Sequence, residues 1–420
     1  MRVLIFSTVW PEPSSSAAGV RQMQWIHFFL RLGAQVILSS PSKLKNEQDW
    51  GYLNLPAGVE CVPLPLNQSE VGETLKTMNP DVVMFDRFIL EEQFGHFVYE
   101  ACPAALVLIE TEDLHFIRKA REELKEQYLQ LTEMPEHFYH TTGALRETAS
   151  MERADQTFVC STFEAALLKN EFSIDEEKVT WVPFFYDEPV IREGAQKTFE
   201  ERDGFAWVGN FRHPPNLDGL RWFRKEIWPR IKVRFPKARI KIYGAYPTEE
   251  VMQWNRPQDG FSVLGSAEDL SAVFENARVN LAPLRFGAGI KGKLLEGFRN
   301  GVPSVSTAVG VEGLAPASIN EFDLGALVVN TPQEFAEACI KLHEEKPLWE
   351  EKREQGKRLM REVHSVQAQE QRMRSLLESL LLKRKKGVLP RWNSKILRHE
   401  TFNSYKYFSR WIEEKEKKRI

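Results

Sequence analysis

Two hydrophobic periods alternate along the chain. Short apolar runs at Val3–Phe6, Gln35–Ser39, Val59–Val62, Asp81–Phe85, Ala105–Ile109 and Thr157–Cys160 are bounded by polar turns and are too short for helices, so they predict strands. Between the first two, Gly19–Leu32 carries Val20, Met23, Ile26, Phe29 and Leu30 at helical spacing and is closed by Gly33. Strands alternating with helices predict a parallel, doubly wound sheet, the pattern of an α/β fold. Val179–Pro183 reads as the last strand of this half, and Phe184–Arg202, with Pro189, Gly194 and several charges, as a linker. The alternation then starts afresh. Strands are predicted at Phe205–Gly209, Ala238–Tyr243, Phe261–Leu264, Val279–Leu284, Val302–Val305 and Ala326–Val329, and a helix over Leu217–Trp228. The chain thus divides into a first Rossmann-like domain (1–185), a linker (186–203), a second such domain (204–365), an amphipathic helix (366–382) and a helical tail (383–420).

The most informative stretch is Leu281-Ala-Pro-Leu-Arg-Phe-Gly-Ala-Gly-Ile-Lys-Gly-Lys-Leu-Leu-Glu296. A buried strand runs into a turn with Gly287, Gly289 and Gly292, then into a helix with Leu294, Leu295 and Phe298 on one face. A strand, a glycine-rich turn and a helix N-terminus make a site for a phosphate, because backbone N–H groups and the helix dipole favour an anion and missing side chains let it approach. Lys291 and Lys293 stand where they neutralise a diphosphate. Residues 287–293 fit the first seven positions of G-x-x-x-x-G-K, but Leu294 stands where a P-loop has the Ser or Thr that holds magnesium. Glu296 lies roughly opposite the apolar helix face and is a candidate for ribose hydroxyls. The competing reading is an ordinary glycine turn and a solvated glutamate.

This stretch resembles the nucleotide-sugar site of retaining glycosyltransferases of the GT-B fold, specifically glycosyltransferase family 4 (glycosyl transferases group 1). The resemblance extends through Phe205-Ala-Trp-Val-Gly-Asn-Phe-Arg-His-Pro-Pro-Asn216, Gly265-Ser-Ala-Glu-Asp-Leu270 and Gly301–Leu314, so it covers roughly residues 200–365. The fold it implies is GT-B, two facing Rossmann-like domains with a cleft between them. It implies donor contacts at Gly209, Asn210 and Arg212, at the turn Gly287, Ala288, Gly289 and Ile290, and at Lys291, Lys293 and Glu296. Arg212 would grip the diphosphate, its planar fork holding two oxygens at once. Where many relatives add a lysine soon after that arginine, His213-Pro-Pro-Asn216 stands instead. Many members also carry two glutamates separated by seven residues. Counting back from Glu296 lands on Ala288, and the backbone of Gly287–Ile290 is expected to replace the first acid.

In the first half the resemblance places the loop after the first strand, Pro11–Gly19, across the cleft from the donor. Its small side chains permit close approach at Gly19, and Arg21 adds a charge. Family members often place a histidine or an acid near the transferred sugar in the loop that here reads Glu110-Thr-Glu-Asp-Leu-His115. Asp113 and His115 are the candidates, with Arg118 close by. Asp86-Arg87 ends another strand, while Arg146-Glu147 and Arg153 are undecided. Glu312 is either a nucleotide contact or a helix cap.

The implied reaction is hexosyl-type transfer from a nucleoside-diphosphate sugar, UDP or GDP, to a hydroxyl of a cell-envelope glycan or lipid-linked saccharide. Retention of configuration is implied by the resemblance alone. The catalytic set is Asp113, His115, Lys291 and Arg212. No Asp-x-Asp triplet occurs, so no metal and no cofactor are expected, and the cations with a helix N-terminus take up the leaving charge. The alternatives are a GT-B-fold nucleotide-sugar epimerase and a non-catalytic nucleotide-sugar-binding protein, the latter favoured by Ala288.

Composition adds compartment and partners. With 420 residues and 42% hydrophobic, the chain buries real cores. No run of 18 apolar residues appears, the N-terminus lacks a signal-peptide core, and the four cysteines are dispersed without a CxxC pair, which together predict a cytoplasmic protein. Net charge is −3, yet residues 383–420 carry 13 Lys/Arg against 4 Glu, a local +9 that leaves −12 on the preceding 382 residues. The tail interleaves these charges with Trp392, Phe402, Tyr405, Tyr407, Phe408 and Trp411. Packing on the body or a dimer contact, a membrane surface at the inner leaflet, and RNA are its candidate partners, with nucleic acid the least favoured.

Overall fold

The chain is described here by a computed structural model covering residues 1–42, 55–124, 134–187, 196–267, 269–320 and 323–417. Residues 188–195 of the expected linker, 125–133 of the charged helical segment, Glu268 and 418–420 lie outside the described residues.

The short apolar runs become strands because their alternating side chains enter layers on both faces of a sheet. In the first half these strands are β1 (Arg2–Phe6), β2 (Gln35–Ser39), β3 (Val59–Cys61), β4 (Val82–Asp86), β5 (Leu106–Glu110), β6 (Gln156–Val159) and β7 (Val179–Trp181). Among the described residues they form one parallel sheet in the order β3-β2-β1-β4-β5-β6-β7. Val3 and Ile5 pack with Trp25, Phe28 and Phe29 on one face, while Leu4 and Phe6 pack with Phe85, Phe94 and Val98 on the other. Covered on both sides, the strands read as continuous apolar runs.

The second half repeats the design with β8 (Phe205–Val208), β9 (Ile240–Tyr243), β10 (Phe261–Gly265), β11 (Val279–Ala282), β12 (Ser304–Ser306) and β13 (Ala326–Val328). Their order is β10-β9-β8-β11-β12-β13, again parallel throughout. One core gathers Trp207, Phe223, Trp228, Ile242, Phe335 and Trp349. A further cluster is shared between the halves. It joins Cys160, Phe184 and Tyr186 to Ile290, Leu294, Leu295 and Phe298.

Two element boundaries differ from expectation for reasons that lie in proline chemistry. The helix expected over Leu217–Trp228 starts earlier, at Pro214, with both prolines in its first turn, where a missing N–H costs nothing. It then passes through a π turn at Phe223–Ile227 before resuming as Trp228–Arg234, since Pro229 lacks the N–H that would continue the α-helical ladder. β11 stops at Ala282 because Pro283 follows.

The helix Val366–Lys385 returns to the first domain and buries Val366, Met373, Leu377 and Leu380 in the core of β1 and β5. The last helix, Trp392–Lys417, lies on the first domain as well. Arg398 pairs with Asp155 at 2.9 Å, Lys406 with Glu100 at 2.8 Å, and Phe402 packs on Tyr99.

Gly219 fixes how the first helix of the second domain meets the glycine-rich loop. A Cβ there would lie 2.3 Å from the Pro283 carbonyl oxygen. Gly219→Ala would gain about 1 kcal/mol of helix propensity but must displace that backbone. We expect a net loss of about 2 kcal/mol in urea unfolding, the overpacking term winning; a stabilised variant would contradict this packing.

Candidate functional site

The turn after β11 is built to approach another backbone. Gly287 and Gly289 have φ of 149° and 62°, a region that side chains disfavour. At Gly289 the missing side chain is also a spatial requirement. A Cβ would sit 2.7 Å from the Glu112 carbonyl oxygen and 2.8 Å from Asp113 Cβ, both in the first domain. Gly292 heads the helix Gly292–Arg299 and faces Ala17, the first residue of the helix Ala17–Arg31 that follows β1, where a Cβ would lie 2.9 Å away. The turn therefore lies between the halves, against the carboxyl ends of β1 and β5.

Polar contacts lock it there. The Gly289 N–H donates to Glu164 Oε1 at 2.7 Å, and the same carboxylate oxygen accepts the Leu114 N–H at 3.1 Å. Arg121 crosses the same gap, donating to the Gly287 carbonyl at 2.7 Å and to both oxygens of Glu312 at 2.7 and 2.9 Å. Glu312, left open between nucleotide contact and helix cap, is thus an interdomain ion-pair partner. The sequence reading did not single out Glu164 or Arg121. Glu164 sits in Ser161-Thr-Phe-Glu164, a spacing that reads as a capping box. Ser161 Oγ does accept the Glu164 N–H, but the carboxylate leaves the helix for the glycine turn. Burial pushes its pKa up to about 7, against the pull of its two N–H donors and Lys291.

Lys291 and Lys293 follow the turn. Lys291 is buried and donates to the Gly289 carbonyl at 2.6 Å. Burial lowers its pKa, opposed by Glu312. Lys293 donates to Asn216 Oδ1 at 2.8 Å and lies 4.6 Å over the Trp207 ring. Burial and the neighbouring Lys291 bring its pKa down to about 7. Two desolvated amines side by side at a helix N-terminus form a site that an anion would complete.

Gly209 ends β8 beside this pair, since a Cβ there would meet Trp207 at 2.8 Å and Asn216 at 2.9 Å. Asn210 accepts the Arg212 N–H at 2.9 Å and reaches the Ser15 carbonyl of the first domain. The Arg212 side chain is exposed and lies 3.6 Å over the Tyr246 ring, whose hydroxyl donates to Glu12 at 3.0 Å. Ala288 is buried against the cluster of Leu114 and Phe116, and Ile290 enters the shared core. Glu296 is half-buried at the middle of its helix, tied to Arg299 at 3.1 Å, and its pKa is raised by burial despite that arginine.

Across the cleft, Asp113 pairs with Arg118 and lies 3.4 Å from His115 Nε2. Burial alone would raise the Asp113 pKa, but Arg118 and His115 outweigh it and hold the carboxylate low. His115 is brought down to about 4 by burial, partly offset by Asp113, so its ring is neutral at pH 7. Glu147 anchors this loop by accepting the N–H groups of His115 and Phe116, each at 3.1 Å. Glu112, immediately before Asp113, has φ of 61°, a strained value for a glutamate.

One expectation about the first half needs correction. Arg21 adds no charge to the cleft: it is fully buried, bonded to Glu110 and to the Val182 and Pro183 carbonyls, because a guanidinium inside a core must satisfy all its donors. Arg153, left undecided by the sequence, is buried against Glu91. A Cβ at Gly19 would meet the Glu12 carbonyl carbon of its own loop at 2.5 Å, while Ala17 lies against Gly292 of the second domain.

With this geometry in view, comparison with known proteins becomes informative. Residues 202–345 match the family described as Glycosyl transferases group 1. An uncharacterized 44.6 kDa protein in the cps region of Klebsiella pneumoniae is 29% identical over 162 residues, 36% of this chain and 41% of that protein, so the match spans less than half of the relative's length. Over the whole chain the similarity is structural. A glycosyltransferase from Rickettsia africae superposes with a TM-score of 0.63 at 12% identity, covering 90% of this chain and 98% of the other. The fold is GT-B. Anabaena Alr3699/HepE in complex with UDP-glucose (TM-score 0.62, 12% identity, 90% and 100% covered) and the pneumococcal O-GlcNAc transferase GtfA with UDP and GlcNAc (0.65, 13%, 90% and 99%) share that architecture. In this GT-B chain the matched region carries the glycine turn, both lysines, Arg212 and Glu296, while Asp113 and His115 lie outside it.

The depressed Lys293 pKa yields a test. A bound diphosphate favours the ammonium form, so binding above pH 7 must take up a proton. Affinity should then fall as pH rises from about 7 toward 10, by up to about tenfold per unit. Calorimetry of UDP or GDP near pH 8.5 in buffers of different ionisation enthalpy should show this uptake, and Lys293→Met should remove it. Proton release, or uptake unchanged in the variant, would contradict the placement of the phosphate beside Lys293.

Proposed function

We propose that the chain is a nucleotide-sugar glycosyltransferase that moves a hexosyl unit from a UDP- or GDP-sugar to an acceptor hydroxyl, with retention of configuration and without a metal. One observation carries the reading: two desolvated lysines adjoin a glycine turn at a helix N-terminus, the turn lies against the other domain, and it already holds a carboxylate on the Gly289 amide. An anion-binding turn between two halves of a GT-B fold is where the departing diphosphate needs stabilisation. Transfer breaks the bond between the anomeric carbon and a β-phosphate oxygen. Positive charge grows on the sugar and negative charge on the leaving group. Lys291, Lys293 and Arg212 would take up that negative charge, and Glu296 would hold the ribose. Asp113, kept ionised by Arg118, lies on the opposite wall, where it would steady the cationic sugar, while neutral His115 would bond to its hydroxyls. In this scheme the leaving phosphate accepts the proton of the incoming hydroxyl on the same face. The Gly289–Glu164 and Arg121–Glu312 contacts would open to admit the donor and re-form around it. The acceptor is read as a cell-envelope glycan or lipid-linked saccharide, in keeping with the cps-region relative.

A panel of UDP, GDP, ADP and CMP in thermal melts tests the donor site without knowledge of the acceptor. At about a hundred times its dissociation constant, UDP or GDP should stabilise by about 2.7 kcal/mol, with EDTA making no difference. Lys291→Ala and Arg212→Ala should melt near the parent temperature yet lose most of the nucleotide shift, and transfer should fall about 100-fold or more. Near-normal activity in either variant would remove that residue from the phosphate site. Release of free nucleotide only when acceptor is present supports transfer. Interconversion of the nucleotide sugar would indicate an epimerase, and tight binding with no turnover a binding protein.

A further inference from the structure

The final helix, Trp392–Lys417, has two unlike faces. Ser394, Arg398 and Ser409 are buried on the first domain. At 100° per residue, Ile396, Tyr407 and Trp411 fall on the opposite side, flanked by Trp392 and Phe408. These five are open to solvent, Trp392 at 73%, Tyr407 at 67%, Phe408 at 57% and Trp411 at 56%. Phe408 and Trp411 stack at 6.0 Å, and the Lys415 ammonium lies 4.8 Å over the Trp411 ring. Exposed aromatics gathered on one face of a single helix mark a contact surface rather than scattered surface apolarity.

Charge says what that surface meets. Arg398 and Lys406 of the helix turn inward and pair with Asp155 and Glu100, and Arg391 just before it pairs with Asp175 and Glu177, which attaches the helix to the acidic body. Lys386, Lys395, Arg410 and Lys415 are exposed and outnumber the exposed Glu400 and Glu414 among the described residues. A second copy meeting this face with its own would oppose like charges. An anionic leaflet would not, and it also accepts indole and phenol rings at headgroup depth. No helix among the described residues is long and apolar enough to cross a membrane, so the contact would be in the plane of the surface.

We propose that the outer face of helix Trp392–Lys417 docks the protein on an anionic lipid surface, with Tyr407, Phe408 and Trp411 seated among headgroups and Lys395, Arg410 and Lys415 pairing with phosphates. This docking is independent of the transfer chemistry.

Co-sedimentation of the full chain with phosphatidylcholine vesicles, with and without phosphatidylglycerol, tests it. Binding is expected only to the anionic vesicles and should weaken with salt. Each lysine or arginine near such a surface strengthens binding by about fivefold, so Arg410→Gln with Lys415→Gln should lose about twentyfold. Phe408→Ser with Trp411→Ser should abolish binding, and both double variants should keep the parent melting temperature because none of the four side chains is buried. Three results would overturn the proposal: no binding to anionic vesicles, a vesicle-independent dimer lost in Phe408→Ser/Trp411→Ser, or capture of single-stranded RNA in place of lipid.

Discussion

The close approach of a glycine turn to the wall of another domain governs the arrangement of the cleft. At Gly289 the backbone comes so near Glu112 and Asp113 that no Cβ fits. That proximity lets one carboxylate, Glu164, bond an amide from each half. It also brings Arg121 within reach of both the Gly287 carbonyl and Glu312. Polar groups removed from water in this way need partners, and here each half supplies what the other lacks. These polar contacts lie at loop ends, beside the apolar cluster that the halves share, and together they tie the domains at the cleft.

The electrostatics of the cleft have a consistent direction. Acids on the first-domain side and lysines on the second are both desolvated. Glu164 is shifted upward, Lys291 and Lys293 downward, each toward neutrality. Groups shifted in that sense respond strongly to a new charge, because a phosphate restores the charged form of the amines it touches. Asp113 runs against this trend, held ionised by Arg118. A fixed negative charge on one wall and latent positive charge on the other match a reaction that separates a cationic sugar from an anionic diphosphate.

Much of this was legible in the amino-acid order and some was not. Strands survived almost intact because buried parallel strands leave unmistakable apolar runs such as Val82–Asp86 and Leu106–Glu110. The glycine turn was visible because three glycines beside two lysines, between a buried strand and a helix, suggest an anion site. Hidden from view was the other side of each contact. Glu164 looked like a capping residue, and Arg121 was one of many charges on an amphipathic helix. Arg21 was misread for the complementary reason: an arginine near a loop suggests a ligand contact, and nothing local reveals that Glu110 and two carbonyls enclose it. Partners distant in sequence are set by how domains pack, and one sequence does not encode that pairing in any local pattern.

The most direct test is a crystal structure of the protein with UDP or GDP bound. The account places diphosphate oxygens within hydrogen-bond reach of Lys293 Nζ and the head of helix Gly292–Arg299, with the ribose toward Glu296. A nucleotide bound anywhere else, leaving both lysines and the turn untouched, would contradict it.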